Sequence, residues 1–218
     1  MLSLVTGSVT DPPLSILCLG AHSDDIEIGA GGTILTLLRR FPGSHVHWVV
    51  LSALAERARE ARASANVFLG YAGASDVRLL TFRDGFFPAQ FEAIKEAFEM
   101  LKGVRPNLVL THHRSDHHQD HRVVAELTWN TFRNHLILEY EIPKYDPDLG
   151  NPNLFVPITS EDAQAKVTAL MSHFASQHGR TWFTPDTFLG LMRIRGVQAA
   201  AASGLAEAFY APKLRLLG

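Results

Sequence analysis

Two short stretches of this 218-residue chain concentrate side chains that can bind a metal and move protons: His22-Ser23-Asp24-Asp25, and "HHRSDHHQDH" from His112 to His121. His22 and Asp25 are three residues apart, which in a tight turn or a first helical turn puts both side chains on one side and points Asp24 elsewhere. His118 and His121 repeat that spacing with Asp120 between them. Neither stretch contains cysteine, so His and Asp are the ligands on offer, and catalytic zinc typically takes three such ligands and keeps a fourth position for water.

Each feature alone has a plainer explanation. A single loop histidine is usually a polar or hydrogen-bonded structural group, and adjacent acids after a strand often only cap a helix and meet its dipole. Five of the 11 histidines fall between His112 and His121, however, a density that surface chance explains poorly. Two such clusters at neighbouring strand ends point to a metal site. Composition leaves open which of the five histidines bind.

The elements that must position these residues are legible as hydrophobic pattern. Ser15 to Ala21 is continuously apolar, as a strand buried on both faces of a parallel sheet would be. Helical spacing follows over Ile26 to Phe41, stopped by Pro42-Gly43. His45 to Leu51 forms the second strand, Ala55 to Gly70 a helix, Val77 to Leu80 a short strand, Phe91 to Leu101 a helix and Asn107 to Thr111 a fourth strand. Beyond His121 the chain reads as a helix, then an extended segment at Leu136 to Ile142. A polar loop from Lys144 to Asn153 follows, then a helix opened by Ser160 and reaching about His173, and a last helix over about Thr187 to Ala202.

This β-α-β-α-β-α-β order implies an α/β fold: one doubly wound, Rossmann-like, mostly parallel sheet with helices on both faces. Residues 1–14 read as an N-terminal extension and 15–218 as a single domain. Ligands of such sheets sit outside the carboxyl ends of the strands where the strand order reverses. The two His/Asp stretches follow the first and fourth strands, so the fold should bring them together.

Gly29, Gly31 and Gly32 open the first helix, but a dinucleotide-binding G-x-G-x-x-G would need glycine at position 34, where Ile34 stands. No acid ends the second strand to hold a ribose either. Small residues there let the helix approach the sheet.

Twenty basic against 22 acidic side chains give a formal charge of -2, without the positive field of a nucleic-acid binder, so a small-molecule partner is expected. Cys18 is the single cysteine and lies in an apolar run, which excludes an internal disulfide and fits a reducing, cytoplasmic location. The first 15 residues lack Lys and Arg, and no run approaches the roughly 20 apolar residues of a membrane span. Oligomeric state is left open, and a homo-oligomer is compatible with the chain.

"AHSDDIEIGAGGTI" resembles the first motif of the PIG-L, or LmbE-like, family of zinc-dependent N-deacetylases, A-H-P-D-D-x-x-x-G-x-G-G-T, and "RPNLVLTHHRSDHHQDHR" resembles its second. Weaker similarity covers Arg57 to Gly70, Asp84, Ser176-Gln177 and "RGVQAAAASGLAEAF". The resemblance implies removal of the N-acetyl group from an N-acetylated sugar or its conjugate, with one zinc per chain. His22, Asp25 and His121 would be its ligands and Asp24 the general base. It further implies that His118 stabilises the oxyanion and can protonate the leaving amine, in a protonated form favoured by Asp120 as its partner, and that Arg57 binds substrate. Ser23 departs from the family's usual proline and removes a φ restraint from the turn.

Two rivals stand beside this reading: a metal-dependent hydrolase of another amide or a phosphoester, and a non-catalytic metal- or nucleotide-binding module. Substrate-shaping residues should lie in the loops at 83–90 and 144–153, while Trp129 and Trp182 are core residues more readily than sugar-stacking ones.

Overall fold

The computed structural model describes residues 12–214. Most of the expected extension, residues 1–11, and the last four residues of the tail lie outside them. The chain begins β1 (Ser15–His22), α1 (Asp25–Arg40), β2 (His45–Ser52), α2 (Ala55–Phe68), β3 (Ala74–Leu79), α3 (Phe91–Leu101), β4 (Leu108–His112), α4 (Gln119–Thr131) and β5 (Leu136–Tyr140). It continues with β6 (Leu154–Pro157), α5 (Ser160–His173), α6 (Pro185–Gln198) and β7 (Ala206–Tyr210).

The seven strands make one sheet in the order β3-β2-β1-β4-β5-β7-β6. Strands β1 to β5 run parallel, with Ile16 opposite Leu108 and Cys18 opposite Leu110 where β1 meets β4. The order reverses between those two strands, so His22 and His112, which end them, share one edge of the sheet. Alternate β1 residues enter separate cores. Ile16 and Cys18 pack on one face with α1, α5 and α6, whereas Leu17, Leu19 and Ala21 pack on the other with α3 and α4.

The expected architecture holds, and the differences lie at its margins. Strand β3 starts at Ala74, three residues before the apolar pattern does, because Ala74, Ser75 and Asp76 are small or polar and lie at or near the surface. Thr159 caps α5 by accepting the Asp162 N–H, so Ser160 is the first helical residue instead of the cap. Helix α6 ends at Gln198. The larger difference is that β6 and β7 add an antiparallel edge, β7 pairing both β5 and β6.

That edge braces α1. Glu207 on β7 accepts the main-chain N–H groups of Gly32 (2.9 Å) and Thr33 (2.8 Å), and Lys166 of α5 bonds both Glu207 and the Ile28 carbonyl at 2.6 Å. A buried ion pair thus holds the middle of the helix whose first turn carries Asp25. Close approach explains the glycines: a Cβ on Gly29 would lie 2.2 Å from the Tyr140 ring, and one on Gly32 would lie 2.3 Å from Ile158.

Candidate active site

Strand β1 ends at His22, and two residues turn the chain into α1. Asp24 occupies the N-cap position, but its side chain makes no cap hydrogen bond. Its Oδ1 instead accepts from Arg57 Nη2 at 2.8 Å. Asp25, the first residue of α1, turns back, and its Oδ2 accepts the His22 main-chain N–H at 2.6 Å. On the other side of the reversal, His118 is the N-cap of α4, its Nδ1 accepting the Asp120 N–H at 3.2 Å, and His121 follows inside the first turn.

The two stretches meet. His22 Nδ1 lies 3.2 Å from His121 Nε2 and 3.3 Å from Asp25 Oδ2, and His121 Nε2 lies 3.6 Å from Asp25 Oδ1. The opposite nitrogen of each ring faces acids: His121 Nδ1 faces Asp116 Oδ2 at 2.9 Å, and His22 Nε2 faces Asp84 Oδ1 at 3.1 Å and Asp120 Oδ2 at 3.3 Å. Assigned from these partners, the ring protons sit on His121 Nδ1 and His22 Nε2. The inward nitrogens, His22 Nδ1 and His121 Nε2, therefore face each other across 3.2 Å beside a carboxylate. A proton or a metal cation must lie among them.

The donor set has the dimensions for one. Ligands about 2.0–2.2 Å from a tetrahedral ion stand about 3.3–3.6 Å apart, close to the separations here. The charge states fit as well. Burial and the neighbouring His112 lower the His121 pKa to about 3, leaving the ring neutral. Burial disfavours ionised Asp25, but His121, His112 and His22 outweigh it and hold the carboxyl well below its usual value. At His22 burial works against charge, yet Asp25, Asp120 and Asp84 carry its pKa well above normal, so without a metal Nδ1 also holds a proton, at the place a bound cation would take.

Among the described residues three donor groups have metal-binding spacing, His22–His118–His121, Asp25–His112–His121 and His22–Asp84–Asp120, and each shares residues with this trio. His112 Nε2 lies 3.2 Å from Asp25 Oδ2, and its ring stacks on His121 at 3.9 Å, but that nitrogen already accepts the Ala21 N–H at 3.0 Å. His118 also comes near His22 and His121, with its Nδ1 lone pair spent on Asp120. His22, Asp25 and His121 keep inward atoms 3.2–3.6 Å from one another.

The structure redirects three expectations. The Asp120 carboxylate serves His22, not the His118 ring, and is anchored by the N–H groups of Gly85 (2.6 Å) and Phe87 (3.0 Å); it reaches His118 through its main chain. His118 is not held protonated, because burial and the charge of His22 lower its pKa and Nδ1 acts as an acceptor. Arg57 meets Asp24 directly, and α2 is held in place one turn later by Glu60, which accepts from Ser176 N (2.9 Å) and Oγ (2.6 Å). Burial, opposed by Arg57 and reinforced by Asp25, raises the pKa of Asp24.

Asp116 and Asp84 are acids of this cluster that pattern reading left without a role. A metal-binding imidazole usually donates its second N–H to a carboxylate, so an unassigned acid inside "HHRSDHHQDH" was the available signal for Asp116. Trp129 is a scaffold residue, donating to Glu139 at 2.6 Å beneath the Arg114 guanidinium, and Trp182 packs on the core.

A family model described as GlcNAc-PI de-N-acetylase, PIG-L, matches residues 17–132, which include every residue of this cluster. The chain belongs to the PIG-L family. As a member it is an amide-hydrolysing N-deacetylase. It is 28% identical over 172 residues to the uncharacterized deacetylase YaiS of Escherichia coli (strain K12), covering 72% of this chain and 89% of that one. Its fold is similar to that of N,N'-diacetylchitobiose deacetylase from Pyrococcus horikoshii (TM-score 0.67, 21% identity, 93% and 86% of the chains). It is also similar to that of GalB, the 4-carboxy-2-hydroxymuconate hydratase of Pseudomonas putida KT2440 (TM-score 0.75, 21% identity, 94% and 98%). The fold alone therefore hosts more than one reaction, and the side chains must decide. No helix among the described residues is long and apolar enough to cross a membrane.

Proposed function

We propose that this PIG-L protein is a zinc-dependent hydrolase that removes the N-acetyl group from an N-acetylated amino sugar or its conjugate, releasing acetate and a free amine. The observation that carries the metal assignment is the convergence of two ring nitrogens, His22 Nδ1 and His121 Nε2, 3.2 Å apart beside the Asp25 carboxylate. These three residues would hold one zinc per chain. Bound there, zinc supplies a Lewis acid for the acetyl carbonyl and lowers the pKa of water toward about 7.

Asp24 is the proton acceptor. Arg57 occupies its Oδ1, which assigns the proton of the attacking water to Oδ2. Burial raises the Asp24 pKa toward the working range of a general base, while Arg57 keeps it from rising further. His118, neutral with its proton on Nε2, donates a hydrogen bond to the oxygen that gains charge as the carbonyl becomes tetrahedral. Because His118 rests neutral, the proton the departing amine needs is the one Asp24 took from water. Asp120 and Asp116 orient His22 and His121, and Asp84, exposed at the mouth, also touches His22. A cytoplasmic setting agrees with one buried cysteine, Cys18.

The test is a panel of N-acetylated sugars, sugar lipids and nucleotide sugars scored for acetate release, with metal content measured alongside. Release from at least one class at one zinc per chain, lost on chelation and restored by zinc, is the expected result. Equal release from chelated protein, or a zinc-loaded protein inert on the whole panel, overturns the proposal.

A further inference from the structure

Asp116 does more than face His121. Its Oδ2 lies 2.9 Å from His121 Nδ1, while its Oδ1 accepts the His118 N–H at 2.7 Å and lies 3.1 Å from Lys144 Nζ. One carboxylate therefore fixes a ring assigned to the metal, the main chain of His118, and the first residue of the 144–153 loop. Lys144 is itself almost buried and also ion-pairs with Asp148, whose Oδ2 accepts the His117 N–H at 2.8 Å. These bonds join the 144–153 loop to the histidine stretch at Asp116 and His117, just before His118.

An open cleft lies between the same two segments, lined by His113, Asp116, Asp148, Leu149 and Tyr210 among others. The polar partners of the buried Asp116 carboxylate beside it are the His121 ring, the His118 N–H and the Lys144 ammonium, and Lys144 is the standing cation among them. An Asp116 freed to rotate would release both the His121 ring and the His118 main chain.

We infer that Lys144 is a positioning residue of the metal site, acting through Asp116 to hold His121 in its metal-binding orientation. This rests on the assignment of His121 as a ligand. Its effect should be smaller than that of Asp116 itself, since loss of a carboxylate directly on a metal-bound histidine typically costs about 10–100-fold in metal affinity or activity.

The experiment measures zinc retention against a chromophoric chelator for the wild-type chain and for Lys144→Met, Lys144→Arg, Asp116→Asn and the Lys144→Met/Asp116→Asn double variant, with Tm recorded for each. Lys144→Met should weaken retention about threefold to tenfold and lower kcat with little change in KM, and Lys144→Arg should restore most of both. In the Asp116→Asn background Lys144→Met should have no further effect on retention, as expected of two residues acting as one unit. Wild-type retention in Lys144→Met, or full additivity in the double variant, overturns the inference. So does a Lys144→Met whose losses follow its Tm and are not rescued by arginine. If Lys144→Met does not fold, Lys144→Arg decides alone: losses as large as those of Asp116→Asn count against the inference, and near-wild-type retention supports it. A wild-type chain that binds no zinc overturns the ligand assignment itself, an outcome distinct from the others.

Discussion

Replacing Arg57 with Met tests whether the arginine keeps the general base ionised. Asp24 is 4% exposed, and its Oδ1 receives Arg57 Nη2 at 2.8 Å, while the Arg57 side chain is one quarter exposed. With charge centres about 4 Å apart and an effective dielectric constant near 20, the attraction is about 4 kcal/mol, or about three pKa units. Screening through the exposed side of the guanidinium brings the effect down to about one to two pH units.

The sign follows from the proton. Asp24 must be ionised to accept one, burial already raises its pKa, and Arg57 opposes that rise. Without the arginine the neutral acid is favoured, so the acidic limb of kcat/KM moves about one to two units toward higher pH, with activity at high pH keeping the same dependence. Met preserves helix propensity in α2, so the pair is removed with little other change. The assay is the initial rate of acetate release across pH on the best substrate of the panel, at saturating zinc. A weaker KM at every pH would report substrate binding by Arg57 as well. An acidic limb that stays in place, or moves down, refutes the role of Arg57 in setting the Asp24 ionisation.

Three further outcomes follow from particular contacts. Asp24→Asn should keep its zinc, since Asp24 lies outside the inward donor set, and lose about 10²- to 10⁴-fold in turnover; loss of zinc together with activity would exchange the roles of Asp24 and Asp25. Gly29→Ala should destabilise the fold by about 1–3 kcal/mol in spite of alanine's helix propensity, because the new Cβ meets the Tyr140 ring, which is fully buried and tied to the Leu19 carbonyl; a Tm at or above wild type would contradict that packing. Glu139 accepts from Trp129, Arg114 and His113, and although burial opposes its ionisation, these partners lower its pKa, so its stabilisation is complete above about 4.5 and fades as the pH falls through the lower folded value. Glu139→Gln should therefore be less stable than wild type at pH 7 with the gap closing in acid, and denaturant titrations showing a constant gap would remove this link.

The parallel half of the fold could be read from local chemistry because each element there has its own periodicity. The continuous apolar run of β1 and the helical spacing after it are decided by burial on both faces of a sheet and on one face of a helix, and both effects act within a few residues. The same logic placed His22 and His121 at adjoining strand ends, since strand alternation dictates where the order reverses. Strands β6 and β7 were hidden for the opposite reason: each is only four or five residues long, and its extended form depends on partners more than 50 residues away, such as Phe209 beside Leu154 and Tyr210 beside Glu139. Pairing of that kind leaves no local period.

At the site the residue types announced metal and acid–base chemistry, but tertiary contact decided how the roles divide among them. Whether a histidine offers a lone pair depends on what its other nitrogen touches. His118 and His112 spend theirs on main-chain N–H groups, while the outward nitrogens of His22 and His121 donate to carboxylates and their other nitrogens face each other. The acids doing this, Asp120 for His22 and Asp116 for His121, differ little in sequence from their neighbours. They are selected by the fold, because a hydrogen bond requires an approach of about 3 Å that spacing along the chain does not specify.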